Sequence, residues 1–382
     1  MRIYLDHNAT TPLREAVAEA MAAALRQPFG NPSSIHAEGA AARAAVERAR
    51  GQVARLFGAS PAEVVFTAGA SEANNLALQG FLRGPAARGR HVVTSTVEHP
   101  SVAEPLAALE REGWQVTRVP VCGDGLLDPA RLEAALTPET ALVSLLWANN
   151  ETGVVQPLDR LLPPLAARGR VLHLDATQAA GKLPIDLRRL PVQLLSASAH
   201  KLNGPKGVGC LVVRGGLALE PWVRGGPQER RRRGGTENVA GIVGFGLACE
   251  LAAADLEERS AACARLRDRL WDGIAGKISR VRRNGAPEAL LPNTLNVEFE
   301  GADGEALLQA LDLEGIAVSA GAACASGSLE PSHVLLEMGR SREQARGSLR
   351  FSLGLGVDEA QVDAVLGLLP RLVARAREAA AP

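Results

Sequence analysis

Short apolar segments alternate with helical segments through the first two thirds of the chain. The apolar segments have the length of strands and cover residues 62–69, 91–96, 114–120, 141–149, 171–176, 194–200 and 209–214. One intervening segment, residues 40–58, repeats apolar positions at helical spacing and stops at Gly58, a residue type that commonly ends helices. Strands that alternate with helices predict a mostly parallel sheet covered on both faces. We therefore predict an α/β fold.

The pattern changes near residue 255. A charged helical stretch comes first, and the later strand-like and helical runs lie at 293–300, 315–321, 347–354, 303–312 and 357–376. A chain of 382 residues is also longer than a single hydrophobic core usually supports. We predict a large domain of residues 15–255 and a smaller α+β domain made of residues 1–14 and 256–382.

Composition excludes several classes of partner. Lys and Arg together number 42, and so do Asp and Glu, so nothing in the charge favours nucleic acid or an anionic membrane. Aromatic residues make up 3% of the chain, which argues against a base-stacking surface. We also expect no signal peptide and no membrane span. The five cysteines are scattered without a CxxC pair, so we predict no metal site and a cytoplasmic protein with free thiols.

The segment LLSASAHKLNGPKGVGCLVVR contains the first catalytic candidate. Lys201 follows a predicted strand and precedes a glycine-rich turn. A partly desolvated lysine at such a place loses its proton readily and can attack a carbonyl carbon. Pyridoxal 5'-phosphate is the leading cofactor for a lysine of this kind. Taken alone, a lysine in such a segment is more often a surface lysine in a turn.

Pyridoxal phosphate also needs a carboxylate beside its pyridine nitrogen and a partner for its ring. Asp175 ends the predicted strand 171–176, and Gln178 lies three residues later, within reach of the phenolic oxygen of the cofactor. His99 follows the strand 91–96, where it can stack on the ring and exchange protons. The alternatives are an ordinary helix cap for Asp175 and a polar loop residue for His99.

The phosphate group needs donors at a helix start. The segment TAGASEANN provides a strand end, a glycine turn and a helix start at Ala70 and Ser71, with Ser71 predicted as the N-cap. Ser198 and His200 can add side-chain donors from the lysine segment. Many capped helices share this pattern, so it has little weight alone.

Several blocks together resemble the cysteine desulfurases. They are YLDHNATTP, FTAGASEANNLAL, TVEHPSV, WANNETGVVQP, HLDATQAAGKLPIDL, SAHKLNGPKGVGCL, GGPQERRRRGGTENVAGIVGFG and SAGAACASGSLEPSHVL. They run from about residue 3 to residue 355 in the order of that family, which belongs to the class V aminotransferase branch of the pyridoxal-phosphate enzymes of fold type I. The chain departs from the family wording at Ala199, where Gly is more usual, and in AGAACASGS around Cys324.

The resemblance implies a fold and partners. The fold is that of the aspartate aminotransferases, with a mostly parallel seven-stranded sheet flanked by helices and a smaller α+β domain. The substrate is L-cysteine, the protein is a homodimer, and a sulfur-acceptor protein such as an iron–sulfur scaffold takes the product. The pathway that uses the sulfur, the synthesis of iron–sulfur clusters or of another thio-cofactor, stays open.

The resemblance also implies a role for each site residue. The cofactor-binding residues are Ala70, Ser71, His99, Asn150, Asp175, Gln178, Ser198, His200, Lys201 and Thr236, the last reaching the phosphate of a neighbouring subunit. Lys201 bonds to the cofactor aldehyde, and His99 acts with it in catalysis. Asn150 and Arg350 bind the substrate, and the planar fork of an arginine suits a carboxylate.

Cys324 is the predicted sulfur acceptor. It lies among small residues in a segment of about 319–330, which we expect to move between cofactor and surface. As a thiolate it takes the sulfur of L-cysteine, becomes a persulfide and leaves L-alanine. Alternatives are a buried, inert thiol and a transient ligand of an iron–sulfur cluster on a partner.

Two other functions remain open at this level. One is a selenocysteine lyase or another class V pyridoxal-phosphate enzyme, which differs in whether the reaction needs Cys324. The other is a non-catalytic scaffold for sulfur assembly, against which Lys201, Asp175 and His99 argue together.

Overall fold

The structure is a computed structural model that describes residues 2–320 and 330–380. Its strands are β1 Ile3–Tyr4, β2 Val64–Thr67, β3 His91–Ser95, β4 Gln115–Val119, β5 Thr140–Leu146, β6 Val171–Asp175, β7 Leu194–Ser198, β8 Gly209–Val213, β9 Val281–Asn284, β10 Thr294–Phe299, β11 Ile316–Ala317, β12 Ser319–Ala320 and β13 Ser348–Ser352. Its helices are α1 Glu15–Arg26, α2 Ala37–Phe57, α3 Ala70–Asn75, α4 Pro100–Arg111, α5 Pro129–Ala134, α6 Leu158–Ala167, α7 Gln228–Arg231, α8 Val239–Ala254, α9 Leu256–Lys277, α10 Gly304–Leu313, α11 His333–Glu337, α12 Arg342–Arg346 and α13 Glu359–Ala380.

A seven-stranded sheet forms the centre of the fold. Its strand order is β2-β8-β7-β6-β5-β3-β4, and every pair is parallel except the two pairs that β8 makes. Strands such as β5 and β7 are buried along their whole length, which explains why they read as continuous apolar runs. The predicted fold class, a mostly parallel seven-stranded α/β sheet, is confirmed.

Helices cover both faces of this sheet. On one face, Val46 and Val53 of α2 share a core with Phe245 of α8 and with the sheet. On the other, Leu76 and Leu106 belong to a second core that includes Val92 of β3. Helix α2 ends where the sequence predicts, because Gly58 adopts φ 64° as its C-cap.

The C-terminal part of the chain builds a separate core around a four-stranded antiparallel sheet of order β12-β13-β10-β9. The N-terminal residues Ile3 and Leu5 pack in this core beside Phe351 and Leu366. The segment predicted as one strand at 315–321 is divided, since β11 pairs with β1 whereas β12 pairs with β13. The predicted domain boundaries at residues 15 and 255 stay a prediction.

The helix after β2 begins earlier than predicted. Gly69, with φ 153°, is the N-cap, so Ser71 lies inside the first turn of α3 and does not cap it. The hydroxyl of Thr67 donates to the carbonyl of Gly69, which turns the chain directly from strand to helix. A π-helical turn, Leu76–Gly80, continues α3.

Over residues 2–320 and 330–380, no single helix has the length and apolarity to cross a membrane. The pair α8 and α9 meets both criteria only when taken together, and the two helices are bent by 73°.

Candidate active site

One cavity lies at the carboxyl ends of the parallel strands. In an α/β sheet these ends meet at the same edge, which is where ligands bind. The cavity has a volume of about 770 Å³, within the range of about 300–1,000 Å³ usual for small-molecule sites. It is lined by ten predicted site residues, Ala70, Ser71, His99, Asn150, Asp175, Gln178, Ser198, His200, Lys201 and Arg350.

Lys201 ends a short 3-10 turn, Ala199–Lys201, that follows β7. Its Nζ donates hydrogen bonds to the backbone carbonyls of Asn8, at 2.5 Å, and Ala9, at 2.8 Å. These residues come from the N-terminal segment, about 190 positions away, and sequence reasoning did not assign them to the site. The amine therefore lies half-buried at the cavity wall, held by backbone carbonyls.

Asp175 ends β6 and is 1% exposed. Its Oδ2 accepts from Nδ2 of Asn74 at 2.8 Å, and its Oδ1 accepts from the backbone N–H and the hydroxyl of Thr177. These donors stabilise a buried carboxylate and fix its orientation. The bond from Thr177 N–H has the form of a local cap, so the capping interpretation and the functional one are both compatible with this geometry.

His99 caps α4, and its Nδ1 accepts from the backbone N–H of Ser101 at 3.1 Å. Burial lowers the pKa of His99 below its ordinary value; Asp175 opposes this effect, whereas Lys201 and His333 add to it. The imidazole is therefore neutral at pH 7, and because Nδ1 accepts, its proton is on Nε2. Such a ring can stack on a flat ligand and give or take a proton.

Arg350 lies on β13 and is 1% exposed. Its Nη1 donates to the carbonyl of Asn150 at 3.0 Å, and its Nη2 pairs with Oδ1 of Asp6 at 2.6 Å. Within the described part of the chain, no acceptor reaches its buried Nε. A buried guanidinium with an unused donor at a cavity wall suits an anionic ligand.

The predicted phosphate residues also line the cavity. Ala70 and Ser71 lie there with Ser198 and His200, and Lys206 adds a cation that sequence reasoning did not assign. Burial, with Lys201, Lys206 and Lys182 nearby, lowers the pKa of His200 to about 4, so this ring is neutral at pH 7.

The remaining predicted residues are Thr236 and Cys324. Thr236 is exposed and does not line the cavity. Its predicted role concerned a neighbouring subunit, so that role stays a prediction. Cys324 lies outside the described residues.

Profile and structure comparisons identify the family. The profile of the Aminotransferase class-V family matches residues 3–365. The chain belongs to this family. It is 48% identical over 378 residues to a cysteine desulfurase of Cereibacter sphaeroides, covering 98% of this chain and 97% of that protein. A solved NifS-like protein superposes with a TM-score of 0.92 at 37% identity, covering 98% of this chain and 100% of that one. A solved structure described as SspA in complex with cysteine has a TM-score of 0.83 at 35% identity, covering 93% and 99%. The resemblance to the cysteine desulfurases is confirmed.

The cavity residues fit pyridoxal phosphate, the cofactor of the Aminotransferase class-V family. A lysine amine, a buried hydrogen-bonded carboxylate and a neutral imidazole share the cavity as Lys201, Asp175 and His99. Gly209 packs closely against Gly69, which lines the cavity. A Cβ at position 209 would lie 2.8 Å from the Cα of Gly69. Lys206 also lines the cavity, and its positive charge suits the anionic phosphate group.

Two buried acids beside the site were missed by sequence reasoning. Burial raises the pKa of Glu98 to about 8 and that of Glu151 to about 7. Glu98 accepts from the hydroxyl of Ser95 and the backbone of Leu146, and Glu151 accepts from the hydroxyl of Ser332. Each acid directly adjoins a predicted site residue in the chain, but only the fold shows that its side chain is buried.

Proposed function

We propose that this protein is a pyridoxal-phosphate-dependent cysteine desulfurase. It converts L-cysteine and its own Cys324 thiol into L-alanine and a Cys324 persulfide. The observation that carries the proposal is the convergence of Lys201, Asp175, His99 and Arg350 on one cavity. Similarity to proteins named cysteine desulfurase supports the choice of substrate.

The cofactor would be held by the residues that line the cavity. When bound, pyridoxal phosphate supplies an aldehyde that captures an amino group and a protonated ring that accepts electrons from Cα. Lys201 would provide the amine for this aldehyde, and its free amine would serve as the base for the Cα proton. The carboxylate of Asp175 would favour the protonated pyridine nitrogen, and the imidazole of His99 would contact the ring.

The substrate carboxylate would bind Arg350. This guanidinium already contacts the carbonyl of Asn150, so the arginine and the Asn150 segment form one wall of the substrate site. The pair with Asp6 holds the guanidinium in place at the cavity wall. The charge and the planar shape of the Arg350 guanidinium both suit a carboxylate, so they favour an amino acid over a simple amine as the substrate.

Sulfur transfer would use Cys324. Its thiolate forms an S–S bond to the substrate sulfur as the Cβ–S bond breaks, and protonation of the remaining carbon framework gives L-alanine. The outer sulfur of this persulfide then passes to an acceptor protein such as an iron–sulfur scaffold. We also propose a homodimer, in which Thr236 serves the neighbouring site, and a cytoplasmic location, which the unpaired cysteines support.

Product analysis tests the proposal. Protein supplied with pyridoxal phosphate is given L-cysteine and a thiol reductant, and L-alanine and sulfide are quantified. The Cys324→Ala variant should lose both products while keeping the visible absorbance of the bound cofactor. Cys122→Ala is the matched control, because Cys122 is an exposed thiol away from the cavity, and it should behave as wild type.

Each outcome separates the alternatives. Full turnover by Cys324→Ala would exclude the thiol mechanism. Selenium release from selenocysteine without any alanine from L-cysteine would favour a selenocysteine lyase. Protein that stays colourless with the cofactor would favour a non-catalytic scaffold, and Lys201→Ala should reproduce the loss of the lysine-linked absorbance.

A further inference from the structure

Lysine is rare in this chain. Of the 42 basic residues only four are lysines, Lys182, Lys201, Lys206 and Lys277. Lys201 and Lys206 line the active-site cavity, and Lys182 makes hydrogen bonds to residues of its wall. Arginine stays charged in proteins, whereas a buried lysine can release its proton. Because the chain otherwise uses arginine, the lysine at position 182 needs a chemical explanation.

The amine of Lys182 is buried, with 7% of the residue exposed. Its Nζ donates to Oε1 of Gln178 at 2.6 Å and to Oδ1 of Asn8 at 3.2 Å. Burial first, and then the charges of Lys201, Arg259 and Arg350, hold the pKa of Lys182 well below its ordinary value, against a small opposing effect of Cys263. His7, which also faces it, has its own pKa lowered to about 4.

The lowered pKa of Lys182 favours its uncharged amine, and the two hydrogen bonds described for Nζ are both donated to side-chain oxygens. Among the described residues that shift the pKa of Lys182, none is a carboxylate that would compensate a permanent cation. This accounts for a lysine where an arginine would carry a fixed charge.

The bond from Lys182 determines which way the Gln178 amide points. An amine donor must face the amide oxygen, so the amide nitrogen points to the other side. The second contact agrees, because Nε2 of Gln178 donates to the backbone carbonyl of Asn8 at 2.9 Å. Gln178 thus offers its remaining N–H to an acceptor in the cavity that it lines.

Asn8 connects the same lysine to Lys201. The side-chain oxygen of Asn8 accepts from Lys182 and from Asn293, and its amide nitrogen donates to Thr294. The backbone carbonyl of Asn8 accepts from the amine of Lys201. Asn8 is therefore held from several directions, and Lys182 is one of its supports.

We propose that Lys182 is a positioning residue, whose two hydrogen bonds orient the Gln178 amide toward an anionic oxygen of the bound cofactor and hold Asn8 behind Lys201. This rests on the proposed cofactor. Lys182 does not touch the ligand and acts only through Gln178 and Asn8.

A double-mutant cycle on cofactor binding tests the proposal. The dissociation constant for pyridoxal phosphate is measured by absorbance titration for wild type, Lys182→Met, Gln178→Ala and the double variant. Lys182→Met should weaken binding about ten-fold, since one or two net hydrogen bonds are lost. In the Gln178→Ala background the same change should cost less than about three-fold, because its main target is gone.

A spectroscopic titration gives a second readout. A donor to the anionic phenolic oxygen favours the deprotonated form of the bound cofactor. Loss of that donor should therefore raise the pH midpoint of the visible absorbance change, by about one unit in Lys182→Met. Lys277→Met, at the exposed end of α9, is the control and should leave both the midpoint and the affinity unchanged.

The outcomes are distinct. Wild-type affinity and midpoint in Lys182→Met, or an equal loss with and without Gln178, would overturn the positioning role. Failure of wild type itself to bind pyridoxal phosphate would instead overturn the proposed function. If Lys182→Met does not fold by circular dichroism, Lys182→Gln keeps a neutral donor and should retain the wild-type affinity and midpoint, whereas an equal loss with and without Gln178 would overturn the positioning role.

Discussion

The buried ion pair between Arg50 and Glu229 yields a sharp stability prediction. Both oxygens of Glu229 accept from Arg50 at 2.8 Å, and Oε2 also accepts from the backbone N–H of Phe66 at 2.8 Å. The side chains of Arg50 and Glu229 are 6% and 3% exposed, so water cannot replace these contacts. Glu229→Gln keeps the shape of the side chain but removes its charge and turns one acceptor into a donor.

The expected cost is large because the buried arginine keeps only its pair with the half-exposed Glu47, whose Oε1 lies 3.0 Å from Nε. Removal of one member of a buried pair costs about 3–5 kcal/mol. Glu229 also anchors a strained turn, in which Glu229, Arg230 and Arg231 have φ values of 47°, 56° and 66°. Conformations of this kind cost about 1–3 kcal/mol per residue and persist only where surrounding contacts impose them. The turn leads into the segment that contains Thr236, so the variant should also bind pyridoxal phosphate more weakly if Thr236 serves a neighbouring site.

Urea unfolding measures the effect against a matched control. Glu112→Gln removes the carboxylate of the Arg83–Glu112 pair, whose side chains are 43% and 46% exposed, and should cost about 0–1 kcal/mol. A free energy of unfolding for Glu229→Gln within about 1 kcal/mol of that control would refute the argument. Arg50→Met combined with Glu229→Leu should lose less than Glu229→Gln, because no buried charge remains.

Three further changes have defined outcomes. Arg350→Lys should raise the KM for L-cysteine about 10- to 100-fold with a smaller change in kcat, since a point charge replaces a planar fork; an unchanged KM in steady-state kinetics would contradict the carboxylate role. Glu98 keeps its proton up to about pH 8 when folded but loses it near pH 4.5 when unfolded, so this group alone should lower the stability by up to about 1.4 kcal/mol per pH unit between pH 5 and 8. Glu98→Gln should flatten this decline in urea unfolding, and an equally steep decline would count against the buried acid. Gly209→Ala should cost about 1–3 kcal/mol and weaken cofactor binding, because its Cβ would lie 2.8 Å from Gly69, whereas Gly51→Ala, with nothing within 4 Å, should be neutral or stabilising; equal behaviour of the two would contradict the close packing.

The sequence alone determined the central sheet and much of the cavity wall. Each long strand is a local run of apolar residues, and burial on both faces makes that run continuous and easy to recognise. Parallel strands bring their carboxyl ends to one edge, so residues directly after them, such as Asp175 and Lys201, were predictable as neighbours. The family resemblance added Arg350, which no local pattern indicates.

Only the tertiary structure revealed the contacts between distant segments. Asn8 and Ala9 hold Lys201, and Lys182 orients Gln178, although nothing in their local sequence announces these partners. The division of residues 316–320 between two sheets likewise depends on which strands lie alongside. Local periodicity reports the conformation of a segment and the face it buries. The partner of a buried polar group depends on the path of the whole chain, and so do its pKa and its chemical role.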